Sequence, residues 1–99
     1  MNIQVKEENN GKILAVEGRI DTTTAPEFEA KLLEELATTD KLRIDLEQVV
    51  YVSSAGLRAF LNGQKFSNKN GVEMSIFHVD DTIMEVFEMT GFIDILTVE

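Results

Sequence analysis

The chain has no cysteine among its 99 residues. That removes disulfides, thiolate metal sites and cysteine nucleophiles together. A domain of this size without disulfides must be held by its core, which suits a reducing cytoplasm. Basic residues are also scarce: nine lysines and arginines stand against eighteen acids, for a net charge of −9. Phosphate backbones and anionic membrane surfaces repel such a chain, so neither nucleic acid nor membrane is an expected partner. The acidity favours solubility and steers the chain toward a basic partner surface. No apolar run approaches the roughly 18 residues of a membrane span. The start, Met1-Asn2-Ile3-Gln4-Val5-Lys6, lacks the basic and then long apolar stretch of a signal peptide. A cytoplasmic protein is the expectation.

Catalytic equipment is equally sparse. A serine nucleophile needs a base beside it, and the one histidine, His78, falls at the end of a predicted strand, where a polar surface residue is ordinary. There is no glycine-rich phosphate loop ending in Lys-Ser or Lys-Thr. Asp80-Asp81 reads as helix-capping acidity rather than a metal site, and Asp45 and Glu47 read as surface groups on one face of a strand. No catalytic residue, metal or cofactor is expected, and the chain is read as a binding protein, not an enzyme.

What is present is a good core pattern. Apolar residues make up 43% and charged residues 27%, ordinary for one globular domain. No repeat or linker divides residues 1–99. Ile3 and Val5 alternate with polar residues, and Ile13-Leu14-Ala15-Val16 lies between Gly11 and Gly18. With the Asn9-Asn10-Gly11 turn signal, these two stretches predict a hairpin. Thr24 is the predicted N-cap of a helix over about residues 25–38, with Pro26 in its first turn and Ala25, Phe28, Leu32, Leu33 and Leu36 at helical spacing. Lys41 to Leu46 alternates as a strand that extends through Val49-Val50-Tyr51-Val52. Ser53-Ser54-Ala55-Gly56 opens a second helix with Leu57, Phe60 and Leu61 on one face, closed by Asn68-Lys69-Asn70-Gly71. Val72, Met74 and Ile76 predict another strand. A third helix follows, capped by Asp80-Asp81-Thr82 and ended by Gly91; Phe92 to Val98 is a last strand or short helix. Alternating strands and helices predict a single α/β domain with a mixed sheet of four to five strands and amphipathic helices.

Sites in such folds collect at loops leaving the carboxyl ends of strands. Two loops qualify: Gly18 to Thr23, and Val52 to Gly56. Ser53-Ser54 is the informative pair. Its plain role is to cap a helix. The same geometry suits a phosphate, which meets free backbone N–H groups there and adds about −1.5 to −2 charges. Gly56 costs the helix roughly 1 kcal/mol relative to alanine, so something must approach the backbone closely at that point.

The segment Asp45-Leu46-Glu47-Gln48-Val49-Val50-Tyr51-Val52-Ser53-Ser54-Ala55-Gly56-Leu57-Arg58 resembles the central signature of the STAS domain, and in particular that of bacterial anti-sigma factor antagonists. Gly18-Arg19-Ile20-Asp21 and Met89-Thr90-Gly91-Phe92 resemble two further family segments, so the likeness covers nearly the whole chain. The resemblance implies partner switching. The unphosphorylated antagonist binds a serine kinase that is also an anti-sigma factor, and the sigma factor goes free. The kinase then phosphorylates the antagonist, which releases it, and a PP2C-type serine phosphatase resets the cycle. Carried over by position, Ser54 is the phosphoacceptor with Ser53 as runner-up. Asp21, Thr22, Ser53, Ser54, Gly56, Leu57 and Arg58 form the docking surface of a protein that is monomeric when free. One departure stands out. The family pattern Asp-Ser-Ser/Thr-Gly-Leu puts its acceptor directly before the glycine, where this chain has Ala55. The Ser-Ser-x-Gly-Leu-Arg variant makes the serine two before the glycine the candidate. It leaves open a STAS subunit that docks in a transport or signalling assembly without being phosphorylated.

Overall fold

A computed structural model describes all residues, 1–99. Its order is β1 (Asn2–Glu8), β2 (Gly11–Ile20), α1 (Ala25–Leu36), β3 (Lys41–Val52), α2 (Ser54–Asn70), β4 (Glu73–Phe77) and α3 (Asp81–Thr90), followed by a 3-10 turn, Phe92–Asp94. The four strands lie in the order β1-β2-β3-β4. β1 and β2 form the antiparallel hairpin, while β2–β3 and β3–β4 are parallel, each joined through a helix. This is the mixed α/β sheet that the strand–helix alternation predicts. The last element is a short helical turn, after which Val98 makes a lone parallel bridge to Ile76 along the outer edge of β4.

Alternation sets the buried face of the sheet: Leu14 and Val16 of β2, Leu42, Ile44 and Leu46 of β3, and Met74 and Ile76 of β4 are all buried. The helices cover that face. One phenylalanine from each, Phe28, Phe60 and Phe87, meets the next edge-on at 5.0 and 6.0 Å between ring centres. On the sheet's other face, Arg43 bonds Glu8 at 2.8 Å and Glu99 at 3.0 Å and lies over the Phe77 ring. The guanidinium and the Ser75 hydroxyl hold the Glu99 carboxyl down to about 2.

Three local features depart from the sequence reading. α1 ends at Leu36, short of residue 38, because Thr38 turns back and bonds the Glu35 carbonyl with both its N–H and its hydroxyl. Thr24 occupies the N-cap position but makes no side-chain cap bond. Asp21 does that work instead: its carboxylate accepts the N–H groups of Thr23 and Thr24 at 3.0 and 3.1 Å. The Asp21 carbonyl takes the N–H of Ala25 at 2.7 Å. Third, β3 carries two bulges. Ala15 pairs with Asp45 but Glu17 with Gln48, and Gly18 pairs with Val49 but Arg19 with Tyr51. Each extra residue resets the alternation. Leu46, Val49 and Val52, three apart, therefore all point into the core.

Candidate functional site

The two loops singled out from the sequence meet at the carboxyl ends of β2 and β3. Their junction is the carbonyl of Ile20, the last residue of β2, which accepts the N–H of Ser53 at 2.9 Å. A Cβ on Gly56 would stand only 2.8 Å from that same oxygen. The close approach inferred from Gly56 is thus made by the protein's own neighbouring strand. Glycine lets α2 start hard against the end of β2.

The two serines have different surroundings. Ser53 is the N-cap: its backbone is extended and its Oγ accepts the Gly56 N–H at 3.3 Å. Ser54 is the first helical residue; it is exposed, and its hydroxyl makes no hydrogen bond within the chain. Ala55, at the family's usual acceptor position, is half-buried.

Other predicted site residues divide in the same way. Thr22 and Arg58 are exposed. Gly56 and Leu57 are buried, and Leu57 belongs to the core cluster. Leu57 shares the inward stripe of Phe60 and pins the first turn of α2 to the sheet. Asp21 is half-buried and fully engaged. Oδ1 takes the two threonine N–H groups, and Oδ2 lies 3.5 Å from the Arg19 guanidinium. The Thr24 hydroxyl accepts the Asp21 N–H at 2.9 Å and donates to the Arg19 carbonyl at 2.6 Å. These bonds, the Thr24 N–H foremost, hold the Asp21 carboxyl below its ordinary value.

Two exposed apolar residues escaped the sequence reading. Val50 is 67% and Tyr51 42% exposed, separated from the serines only by the buried Val52. Val50 is the extra residue of the second bulge, and Gly18 opposite it has φ +110°. The Arg19 guanidinium lies 4.3 Å over the Tyr51 ring. The signal was there: four consecutive apolar residues, 49–52, cannot all face one covered side of a sheet. Beside this surface, a groove of about 400 Å³ runs between α1 and α2, lined by Thr22, Pro26, Leu33, Ala55 and Arg58 among others. The largest concavity, about 860 Å³, lies at the other end of the sheet among Glu7, Asn10, Lys12 and Asp40, with no apolar lining.

Nothing in this arrangement pairs a serine with a base. His78 Nδ1 lies 2.9 Å from Asp45 Oδ1, and neither Ser53 nor Ser54 is among its partners. Asp45 also accepts the Glu47 N–H at 2.9 Å, and Asp80 caps α3 by accepting the Ile83 N–H at 2.8 Å. No helix is long and apolar enough to cross a membrane.

A mixed sheet with its helices on one face, carrying an exposed serine where β3 turns into α2, defines a STAS domain, and the STAS family model matches residues 2–99. The chain belongs to the STAS family, among the anti-sigma factor antagonists, which are non-enzymatic binding proteins. It is 34% identical over 101 residues to the anti-sigma-B factor antagonist of Listeria monocytogenes, covering all of this chain and 89% of that protein. Among solved structures, an anti-sigma factor antagonist from Mycobacterium paratuberculosis matches with a TM-score of 0.88 and 21% identity, over 98% of this chain and 83% of that one. The Bacillus cell fate determinant SpoIIAA in its phosphorylated form matches with a TM-score of 0.74 and 13% identity, over 99% and 91%.

Proposed function

We propose that this protein is an anti-sigma factor antagonist that works by partner switching. Unmodified, it docks on an anti-sigma serine kinase through the β2–α1 loop, the end of β3 and the first turn of α2. The kinase then lets its sigma factor go. It next transfers the γ-phosphoryl group of ATP to Ser54: a P–O bond forms at Oγ, the bond to the β-phosphate breaks, ADP leaves, and the hydroxyl proton passes to solvent. The added bulk and charge end the complex. A PP2C-type phosphatase resets the protein by hydrolysing the phosphoserine. The cycle runs in the cytoplasm with the free antagonist as a monomer.

The observation that carries this reading is the contrast between the two serines. Ser53 is committed to the helix cap, whereas Ser54 offers an unbonded hydroxyl on the exposed first turn. The named relative and the phosphorylated form of a STAS neighbour support it. Within the docking surface, Asp21 shapes the loop that presents Thr22, Gly56 and Leu57 seat the helix, and Val50, Tyr51 and Arg58 make contact.

Phosphopeptide mapping of the protein from its native cells tests the assignment. Trypsin releases Ile44 to Arg58 as one peptide holding both serines, and fragmentation separates them. Phosphate on Ser54 is the expected result. Phosphate on Ser53 moves the acceptor by one residue. None, in any condition or with kinase and ATP, leaves a constitutive docking subunit.

A further inference from the structure

The chain has three arginines, and two are already held. Arg19 sits between Asp21 and the Tyr51 ring, and Arg43 between Glu8, Glu99 and Phe77. Arg58 has no ion pair, no hydrogen bond and no ring partner, in a protein with twice as many acids as bases. The acid nearest to hand in its groove, Glu29, is held by the Asn62 amide at 3.1 Å. Arg58 lies four residues after Ser54 on α2.

Residues four apart on a helix stand side by side, with Cβ atoms about 5–6 Å apart, and an anion placed N-terminal to the cation is the better order. A guanidinium also matches phosphate oxygens two at a time. We infer that Arg58 is the intramolecular counter-ion of a phosphate on Ser54. Phosphorylation folds Arg58 back along the helix onto the new group. One event then withdraws from the docking face both the free hydroxyl and the one free guanidinium. A phosphate on Ser53 gets no such partner, because Ser53 is five residues from Arg58 and extended, outside the helix. The inference rests on Ser54 being the acceptor, yet it can be tested without any kinase.

Phosphoserine is installed at position 54 of the full chain during translation, and its ³¹P shift is followed against pH. The second ionisation of phosphoserine lies near about 6. With Arg58 present, the midpoint is expected about half a unit or more below that of Arg58→Gln, with Arg58→Lys between them. The Arg58 Nε–H resonance should move on phosphorylation. Phosphoserine at 53 should show no dependence on Arg58. Equal midpoints for wild type and Arg58→Gln, with an unmoved Nε–H, overturn the inference and leave phosphorylation itself untouched. Conversely, absence of phosphate in native cells defeats the cycle without altering this ion pair. Thermal melts of Arg58→Gln guard against a folding artefact, and none is expected at an exposed site.

Discussion

The Ile20 carbonyl oxygen would lie only 2.8 Å from a Cβ on Gly56, and it accepts the N–H of Ser53 as well. One backbone oxygen thus ties the end of β2 to the start of α2 and fixes where the serines sit. Gly→Ala inside a helix ordinarily gains about 0.5–1 kcal/mol. Here Gly56→Ala should instead lose about 1–3 kcal/mol by denaturant unfolding, because backbone, not a side-chain tip, must give way.

The serines should separate in stability before any partner is added. Ser53→Ala removes a cap and should cost about 0.5–2 kcal/mol. Ser54→Ala removes a hydroxyl that bonds nothing in the chain, and its unfolding midpoint should stay within about 0.5 kcal/mol of wild type. Equal losses would put both serines in the cap.

The loop before α1 should respond to acid through Asp21. Its carboxyl is held below its ordinary 3.8, with the Thr24 N–H as the leading cause. A depressed folded value gives stabilisation that is complete above the unfolded value and lost as pH falls through the folded one. The amide signals of Thr23 and Thr24 should therefore be constant above about pH 4.5 and titrate together with a midpoint under 3.8. Asp21→Ala should abolish that titration and disturb the loop at neutral pH.

Much of this was legible in the sequence, and the exceptions have physical causes. The succession of strands and helices, Ser53-Ser54 at a helix start and the Gly71 and Gly91 helix ends follow from periodicity and cap chemistry, which are local. The cap of α1 was not legible, because Asp21 and Thr24 are both good cappers three residues apart. Only the fold shows that the aspartate reaches forward while the threonine bonds backward to Arg19. The bulges of β3 depend on its register with β2, which no single stretch of sequence encodes, so the strand over 49–52 is legible while the outward turn of Val50 and Tyr51 is not. Leu57 illustrates the opposite case. Its spacing to Phe60 places it inward, and it is buried; the part the family resemblance gives it, presenting the first turn of α2, is compatible with seating that turn from beneath.

Val50 and Tyr51 should matter for docking and little for folding. Val50→Ser is expected to stay within about 0.5 kcal/mol of wild-type stability, and Tyr51→Ser, which also gives up the Arg19 contact, within about 1 kcal/mol. An exposed tyrosine near the proposed acceptor is the kind of residue that anchors an interface, so on the proposed function Tyr51→Ser should weaken kinase binding by about 1–2 kcal/mol in calorimetry. Unchanged affinity in both variants would place the docking face elsewhere.

The most direct test of the central claim is the affinity of the anti-sigma kinase from the same organism for wild type, Ser54→Ala and the form carrying phosphoserine at 54. Partner switching predicts tight binding by the first two and loss of binding by the third. It also predicts that ATP releases wild type but leaves the Ser54→Ala complex intact. Equal affinity for all three, or release of Ser54→Ala by ATP, would contradict it.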